Sequence, residues 1–384
     1  MNPPPHRRIE LLVFGLVAAA FTTIYITQPV LPVLQAEFGV SANAASLSVS
    51  AVVLGIALAN LPFGMAADRY PIRPIILSGG AVVGATSLVC AFTPSIAVLV
   101  GARFIQGLFI PSLTTCLAAY LARTLPAARL NVAMGSYVAA TVAGGLGGRL
   151  LGGWIHPPLH WRYAFISAAA VLAAATLAAA RGLDRGQARV AVEGPQAGFI
   201  ELLRRAELRR MCAVAFGGFF VFSSIFNFLP FHLTEPPLQA STGVITLMYL
   251  AYVVGIFTGP QAGRLANRVG NGTAMALGAA LLAASLAITL VPSLPVIAVG
   301  LAGVCAGYFT VHASAVGLLN RRLTAAKGRA NSLYVLFYYL GGAAGITLSG
   351  HAYTNWGWGG VAALNGGVLL LPFAIGMMER RQPG

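Results

Sequence analysis

Long apolar runs separated by short polar loops dominate the chain. A helix that crosses the hydrocarbon core of a membrane needs about 20 predominantly apolar residues, and twelve runs approach or exceed that length. They predict spans at 11–33, 46–66, 74–93, 96–121, 132–155, 162–180, 211–233, 243–262, 273–291, 296–319, 331–350 and 360–378. The pattern therefore predicts an all-α membrane protein with twelve transmembrane helices.

One long polar stretch, residues 181–210, divides these runs into six and six. It predicts an N-terminal six-helix bundle over 1–180, a cytoplasmic linker over 181–210 and a C-terminal six-helix bundle over 211–384. Within the linker, residues 199–210 combine helical apolar spacing with a basic face. That combination is typical of an amphipathic helix on a membrane surface.

A short charged loop occurs once in each half. Gly64-Met-Ala-Ala-Asp68-Arg69 is followed by Arg73, and Gly263-Arg-Leu-Ala-Asn267-Arg268 repeats the pattern 199 residues later. Small residues let helices approach closely, and arginine stays at the aqueous face of a membrane. Two copies in register predict an internal duplication, with pseudo-symmetric bundles and a substrate site near the membrane midplane.

Composition excludes a water-soluble protein. The chain is 58% hydrophobic and 9% charged, whereas a soluble domain carries about a quarter of charged residues. The formal net charge of +15 does not indicate nucleic-acid binding, because the basic residues lie in short clusters between apolar runs. All but three of the 24 lysines and arginines fall on the side of the N-terminus; the exceptions are Arg103, Arg149 and Arg162. This bias predicts cytoplasmic N- and C-termini.

No enzymatic constellation can be assembled from the sequence. The four cysteines lie inside apolar runs, and the six histidines are scattered. There is no Gly-x-x-x-x-Gly-Lys-(Ser/Thr) loop, so ATP is not the expected energy source. We expect no catalytic activity, no cofactor and no metal. The expected partners are a small-molecule substrate, the lipid bilayer and protons as the coupling ion, and we expect a monomer.

Three motifs resemble those of one family. The Gly64–Arg73 loop is similar to the signature between spans 2 and 3 of the major facilitator superfamily, with Pro71 where a glycine is usual. Span 4 carries Arg103-Phe-Ile-Gln106-Gly107, which resembles the family's Arg-x-x-Gln-Gly motif. In span 5, a glycine series resembles the motif of proton-driven exporters, with Arg149 in place of its proline; the series is Gly135, Gly144, Gly148, Gly152 and Gly153.

Over essentially the whole chain, then, the sequence resembles the major facilitator superfamily, most closely its bacterial inner-membrane exporters of drugs and solutes. The resemblance implies that Asp68 pairs with another helix and latches the cytoplasmic gate; a helix cap with topogenic charge is the alternative. It implies a proton-relay or substrate-binding role for Arg103, against a purely structural arginine. Arg149 has the same two interpretations. His312 is a coupling or ligand residue, or a histidine that is simply hydrogen-bonded.

The remaining candidates are polar or aromatic residues inside spans, which either line a cavity or pack the bundle: Tyr25, Gln28, Gln106, Asn227, Tyr308, Tyr338 and Tyr339. A second set predicts close helix packing: Gly107, Gly144, Gly148 and Gly152. The gating set comprises Gly64, Asp68, Arg69, Arg73, Gly263, Asn267 and Arg268.

None of the nine acidic residues lies in the middle of a span. The coupling group would therefore be Asp68, an interfacial glutamate or His312, and neutral, amphipathic or anionic solutes fit better than strong cations. The sequence predicts a secondary transporter that works by alternating access and exports small organic solutes or drugs in exchange for protons. The alternatives are an uptake symporter or uniporter for an organic anion, and a non-transporting membrane receptor on the same scaffold.

Overall fold

The computed structural model describes residues 5–183, 198–322 and 327–380, and all regular elements in those ranges are helices. The first half contains α1 (Pro5–Ile24), a 3₁₀ turn (Gln28–Val30), α2 (Leu31–Phe38), α3 (Ala42–Arg69), α4 (Ile72–Phe92), α5 (Ile96–Leu113), α6 (Thr115–Thr124), α7 (Ala127–Ile155) and α8 (Arg162–Gly182). The second half contains α9 (Phe199–Arg204), α10 (Ala206–Thr234), α11 (Thr242–Met248), a 3₁₀ turn (Tyr249–Ala251), α12 (Tyr252–Val269), α13 (Asn271–Ile288), α14 (Leu294–Arg322) and α15 (Lys327–Arg380).

The predicted fold class is confirmed. Ten segments in the described ranges are long and apolar enough to cross a membrane. Each of the twelve apolar runs lies mostly on one α-helix or on two consecutive α-helices. Two of the runs share α15, which contains one non-helical residue, Gly357, with φ 57° and ψ −151°.

The chain reverses direction at Gly357. The Asn365 side-chain amide lies 3.5 Å from the Ser349 hydroxyl, although 16 residues of straight helix would separate them by about 24 Å. Glycine is suited to this point because its φ is positive, a conformation that side chains disfavour. Residues 327–356 and 358–380 therefore form two helices, as the sequence predicts for spans 11 and 12.

The first span is broken rather than continuous. α1 ends at Ile24, and the chain passes through a 3₁₀ turn before α2 begins at Leu31. Pro29 and Pro32 lack a backbone N–H and cannot continue the α1 hydrogen-bond ladder. The break leaves main-chain carbonyl groups near residue 24 without helical partners.

The predicted amphipathic helix over 199–210 is two helices. α9 ends at Arg204, Arg205 is extended (φ −73°, ψ 118°), and α10 then runs on into the seventh span. Leu202 is fully buried in an apolar cluster with Leu208 and Met211, so this segment packs on protein. The linker residues 184–197 lie outside the described ranges.

The chain forms two compact units. Among the described residues, the first unit contains 5–30 and 51–183, and the second contains 31–50, 198–322 and 327–380. In the first unit α1 packs against α7 and α8, and α4 packs against α5 and α8. In the second, α10 packs against α15, and α13 packs against α14 and α15. Residues 31–50 are anchored there in part by a 2.9 Å hydrogen bond between Ser50 and Thr347.

Candidate functional site

The duplicated loops make the same contact in each unit. In the first, Arg123 Nη1 lies 3.2 Å from Asp68 Oδ1, and the Asp68 side chain is 72% exposed. In the second, Arg321 Nη2 donates to Asn267 Oδ1 at 2.6 Å. Each arginine follows its loop partner by 55 or 54 residues. The duplication seen in sequence therefore extends to a helix-to-helix contact, ionic in one copy and neutral in the other.

The other members of the gating set lie around these contacts without joining them. Arg69 and Arg268 are exposed, and Arg73 is partly buried. A methyl group added at Gly64 would meet only Thr115, at 3.9 Å, and one at Gly263 would meet nothing. These two glycines therefore do not mark a tight helix contact in the structure.

Arg103 lies at the break in the first span. Its side chain is fully buried, Nη1 donates to the Thr23 carbonyl at 2.6 Å, and Nη2 donates to the Ile24 carbonyl. These are carbonyls that the end of α1 leaves without helical partners, and a cation is favoured at a helix C-terminus. Arg103 therefore holds the terminus of α1 onto α5.

Gln106 extends this network one turn along α5. Its side-chain carbonyl accepts a hydrogen bond from Arg103, and Nε2 donates to the Ser87 hydroxyl at 2.7 Å. Both Gln106 and Ser87 are fully buried. Three spans thus share one hydrogen-bonded cluster. Ser87 was not among the predicted sites, because a small polar residue inside a span carries no signal of its own in the sequence.

Arg149 joins two other predicted residues. Its Nε donates to Gln28 Oε1 at 2.8 Å, and its guanidinium carbon lies 4.0 Å from the centre of the Tyr25 ring. Nη1 donates to the Gly145 carbonyl at 2.8 Å. Arg149 is 3% exposed, and a desolvated guanidinium gains from both the amide and the aromatic face.

Glycines on α7 bring it against α1 backbone to backbone. A Cβ at Gly144, Gly148 or Gly152 would lie 2.3, 2.1 or 1.9 Å from a carbonyl oxygen of the first span. The four-residue spacing puts all three on one helix face. Gly107 lies in the same way against the backbone of α3, since a Cβ at this position would lie 2.2 Å from the Val52 carbonyl oxygen.

The second unit contains an aromatic cluster around His312. Tyr308 and Tyr338 are joined by a 2.9 Å hydrogen bond between their hydroxyls, and the Tyr334 hydroxyl lies 3.0 Å from His312 Nδ1. Two phenylalanines of α10 stack on this network. Phe219 lies 3.8 Å from the Tyr338 ring centre, and Phe222 lies 3.9 Å from that of Tyr308.

The tyrosine pair and the histidine were predicted sites, and Tyr339 joins them through an edge contact with Phe219 at 5.9 Å. We call Phe219, Phe222, Tyr308, His312, Tyr334, Tyr338 and Tyr339 the aromatic cluster. Phe219, Phe222 and Tyr334 were not predicted, because single aromatic residues in an apolar helix carry no signal of their own.

Asn227 is fully buried on α10. Within the described part of the chain, neither its amide nitrogen nor its oxygen has a hydrogen-bond partner. A buried amide without partners is unusual and is typical of a place where a ligand or water binds. Among the predicted residues, Asn227 is therefore the one whose surroundings best fit a ligand-binding position.

A buried carboxylate also escaped the sequence analysis. Glu379 is 4% exposed; Arg210 Nε lies 2.5 Å from its Oε1, and Arg322 Nη1 lies 2.6 Å from its Oε2. Glu379 thus ties α10, α14 and α15 together at one end of the second unit. Its position near the end of an apolar run suggested a peripheral acid.

Comparison with known proteins identifies the family. A family model described as Major Facilitator Superfamily matches residues 13–309 and 236–383. The chain belongs to the major facilitator superfamily.

Individual relatives of this superfamily member align with nearly its full length. The inner membrane transport protein YnfM of Escherichia coli is 28% identical over 383 residues, which cover 99% of this chain and 92% of YnfM. A bacterial homologue of the human lysosomal transporter Spinster, solved in an inward-facing and unoccupied conformation, has a TM-score of 0.77 at 15% identity. The alignment covers 99% of this chain and 98% of that homologue.

The human organic anion transporter MFSD10 has a TM-score of 0.71 at 22% identity, covering 97% of this chain and all of that one. Both structural likenesses concern the fold. Together with the family match, they make this superfamily member a multi-pass membrane transporter, which is the coarser part of the predicted function. The loop contacts and the buried clusters are therefore features of a transporter.

Proposed function

We propose that the protein is a proton-coupled secondary transporter that exports small organic solutes from a bacterial cell by alternating access. The observation that carries this proposal is the aromatic cluster. Stacked rings with a few hydroxyl groups bind small organic molecules well, because the rings supply contact area and the hydroxyls supply orientation. His312 adds an imidazole, a side chain that can bind and release a proton.

Proton coupling rests on where titratable groups lie. Among the carboxylates in the described ranges, Glu379 is the buried one, and it is held by two arginines. Glu37, Asp68 and Glu235 are exposed. His312, hydrogen-bonded to Tyr334, is therefore our candidate for the coupling group, and protonation would change its charge beside the rings of the aromatic cluster.

Gating is proposed for the two loop contacts. The Asp68–Arg123 ion pair and the Asn267–Arg321 hydrogen bond join corresponding helices in their units. The contact is charged in the first unit and neutral in the second, so the two loops would be held to their own partner helices with unequal strength. We propose that Asp68 changes partners during the transport cycle, which requires it to be exposed, as it is.

The export direction rests on the glycine series of span 5, which resembles that of proton-driven exporters. In this chain the series includes Arg149, which holds Gln28 and stacks on Tyr25. We propose that this arginine contacts the substrate or the adjacent helix end during transport.

Uptake of an organic anion is the second candidate function. Two guanidinium groups, those of Arg103 and Arg149, are buried in the first unit, where they donate hydrogen bonds to carbonyl and amide oxygens. Positive charge inside a membrane-spanning bundle favours an anionic solute over a cationic one. MFSD10 is described as an organic anion transporter.

The test uses purified protein in liposomes and a panel of neutral, anionic and cationic organic solutes. We expect transport of at least one neutral or anionic solute, with a KM about tenfold higher for Phe219→Ala, because the stacking surface is lost. The matched control is Phe257→Ala, since Phe257 is 64% exposed on α12. Equal KM values for the two variants would remove the aromatic cluster from the substrate site.

A further inference from the structure

A polar cavity lies at the end of the second unit where its arginines cluster. Its volume is about 630 Å³. It is lined by the first turn of α13 and by the ends of α14 and α15, and its polar lining comprises Asn271, Thr273, Arg321, Arg322, Glu379 and Arg380. We call it the α13 cavity. The positive-inside bias predicts that this end faces the cytoplasm.

The first turn of α13 offers backbone donors to the cavity. The helix begins after Gly270, which has φ 84° and provides no side-chain cap. The first helical hydrogen bond of the turn runs from the Ala274 N–H to the Gly270 carbonyl at 3.0 Å. The backbone N–H groups of Asn271, Gly272 and Thr273 therefore have no acceptor within the helix. They lie at the positive end of the macrodipole of an 18-residue helix.

Asn271 is a second, independent indication of a ligand. Its side chain is 94% buried, since 6% of its surface is exposed, and it lines the cavity. Neither its Nδ2 nor its Oδ1 has a hydrogen-bond partner among the described residues. Leaving a buried amide unpaired costs free energy, and such groups are normally satisfied by a ligand or by water.

Close helix packing brings the basic residues to this point. A Cβ at Gly272 would lie 2.5 Å from the Arg380 backbone nitrogen, and one at Gly376 would lie 2.8 Å from that of Ala276. The glycine contact places Arg380 beside the first turn of α13. Three arginines line the cavity against one glutamate, so positive charge is in excess.

The corresponding positions of the first half carry different residues. Pro71, Ile72 and Arg73 stand 199 residues before Gly270, Asn271 and Gly272. Ile72 is buried and apolar where the second half has Asn271. The polar lining of the α13 cavity therefore does not follow from the duplicated loop itself.

We propose that the α13 cavity binds a phosphate group, held by the α13 N–H groups, the Asn271 amide and Arg380. Backbone N–H groups at a helix start and arginine side chains are a combination that recognises phosphate oxygens. Two sources share this chemistry: the headgroup of an anionic phospholipid in the cytoplasmic leaflet, and free inorganic phosphate. Basic pockets between membrane helices on the cytoplasmic side bind lipid headgroups in this way.

The experiment measures thermal unfolding of the delipidated, detergent-purified full chain while one probe is titrated at constant ionic strength. The probes are phosphatidylglycerol, phosphatidylcholine, inorganic phosphate and chloride. We expect saturable stabilisation by phosphatidylglycerol or by phosphate, with none from chloride and less from phosphatidylcholine. Stabilisation by phosphatidylglycerol alone identifies a lipid headgroup, and stabilisation by phosphate identifies a soluble ligand.

Three variants separate binding from structure. Arg380→Gln and Asn271→Leu each remove a hydrogen-bond donor. Each should lower the affinity for the stabilising probe about tenfold, which corresponds to the loss of one charge-assisted or buried hydrogen bond. Asn271→Leu should unfold without probe at or above the wild-type temperature, because it removes an unpaired polar group. The matched control Arg264→Gln removes one exposed arginine of α12 outside the cavity and should leave probe binding unchanged.

The proposal is overturned by either of two results. One is that no phosphate-bearing probe stabilises the wild type in a saturable way. The other is that Asn271→Leu and Arg380→Gln bind the stabilising probe as tightly as Arg264→Gln does.

Discussion

At the scale of single residues, Arg103 is a buried arginine that binds the end of a helix. Arg103 binds the carbonyls of Thr23 and Ile24, which the break in the first span exposes. A planar guanidinium can donate hydrogen bonds to two carbonyls and to the Gln106 side chain at the same time. This arrangement favours the structural interpretation of Arg103, as a positioning residue that fixes the end of α1 next to Tyr25.

Arg103→Lys should destabilise the first unit. The lysine ammonium group on its flexible stem cannot reproduce the planar pair of guanidinium donors. At least one buried carbonyl therefore loses its donor, which lowers the free energy of unfolding by about 1–3 kcal/mol. The buried cysteines Cys90 and Cys116 allow a thiol-reactive dye to report unfolding. Arg129→Lys, at an exposed arginine, is the control, and equal unfolding temperatures for the two variants would contradict this role.

Asp68→Asn tests the proposed latch. The variant gives the first half the neutral contact that Asn267 and Arg321 make in the second. Asp68 is exposed, so we expect unfolding at the wild-type temperature and normal protein levels, but a reduced transport rate. The reciprocal Asn267→Asp keeps Asp68 and controls for changes in loop charge. Wild-type transport by Asp68→Asn would exclude the latch.

At the scale of elements, the contact of α1 with α7 depends on a row of glycines. The row predicts a sharp difference between neighbouring positions. Gly148→Ala would place a methyl group 2.1 Å from the Thr22 carbonyl, whereas Gly147→Ala would meet the Thr22 hydroxyl at 3.8 Å. We expect the first variant to lose about 1–3 kcal/mol of stability, because the helices must separate, and the second to stay near wild type. Thermal unfolding of both variants checks this, and similar losses would disprove the contact.

The Glu379 contacts join three helices of the second unit. Glu379→Gln leaves the partly buried arginines Arg210 and Arg322 without their carboxylate, and breaking a buried pair in this way costs about 3–5 kcal/mol. On heating, Cys212, which is buried on α10, should therefore react with a thiol-reactive dye at a lower temperature than in the wild type. Glu201→Gln, on α9 outside these contacts, should leave that temperature unchanged. An unchanged unfolding temperature for Glu379→Gln would show that the pair contributes nothing to stability.

Helix breaks limit what these patterns can predict at the element scale. The apolar runs located the spans, since hydrophobic length is a local property that sequence records directly. The break at Ile24, the extended Arg205 and the reversal at Gly357 depend on backbone conformations that a hydropathy pattern does not specify. The partners of Arg103 follow from the first of these breaks and could not be assigned without it.

At the scale of the whole molecule, the duplication organises both the fold and the candidate sites. The 199-residue offset predicted two related halves, and the structure adds matching contacts of Asp68 with Arg123 and of Asn267 with Arg321. The two arginines could have been found in sequence, because they are 198 residues apart. Phe219, Glu379 and Asn271 could not, since their importance comes from neighbours distant in the chain.

The central claim is that transport of an organic solute is coupled to protons in the opposite direction. It is tested most directly in liposomes that contain the purified protein and a trapped pH-sensitive dye, with a solute gradient imposed from outside. Proton-coupled antiport predicts that the interior becomes more alkaline as the solute enters, whatever the orientation of the protein, and that His312→Asn abolishes this change. Acidification of the interior would indicate symport, and solute entry without any pH change would contradict proton coupling altogether.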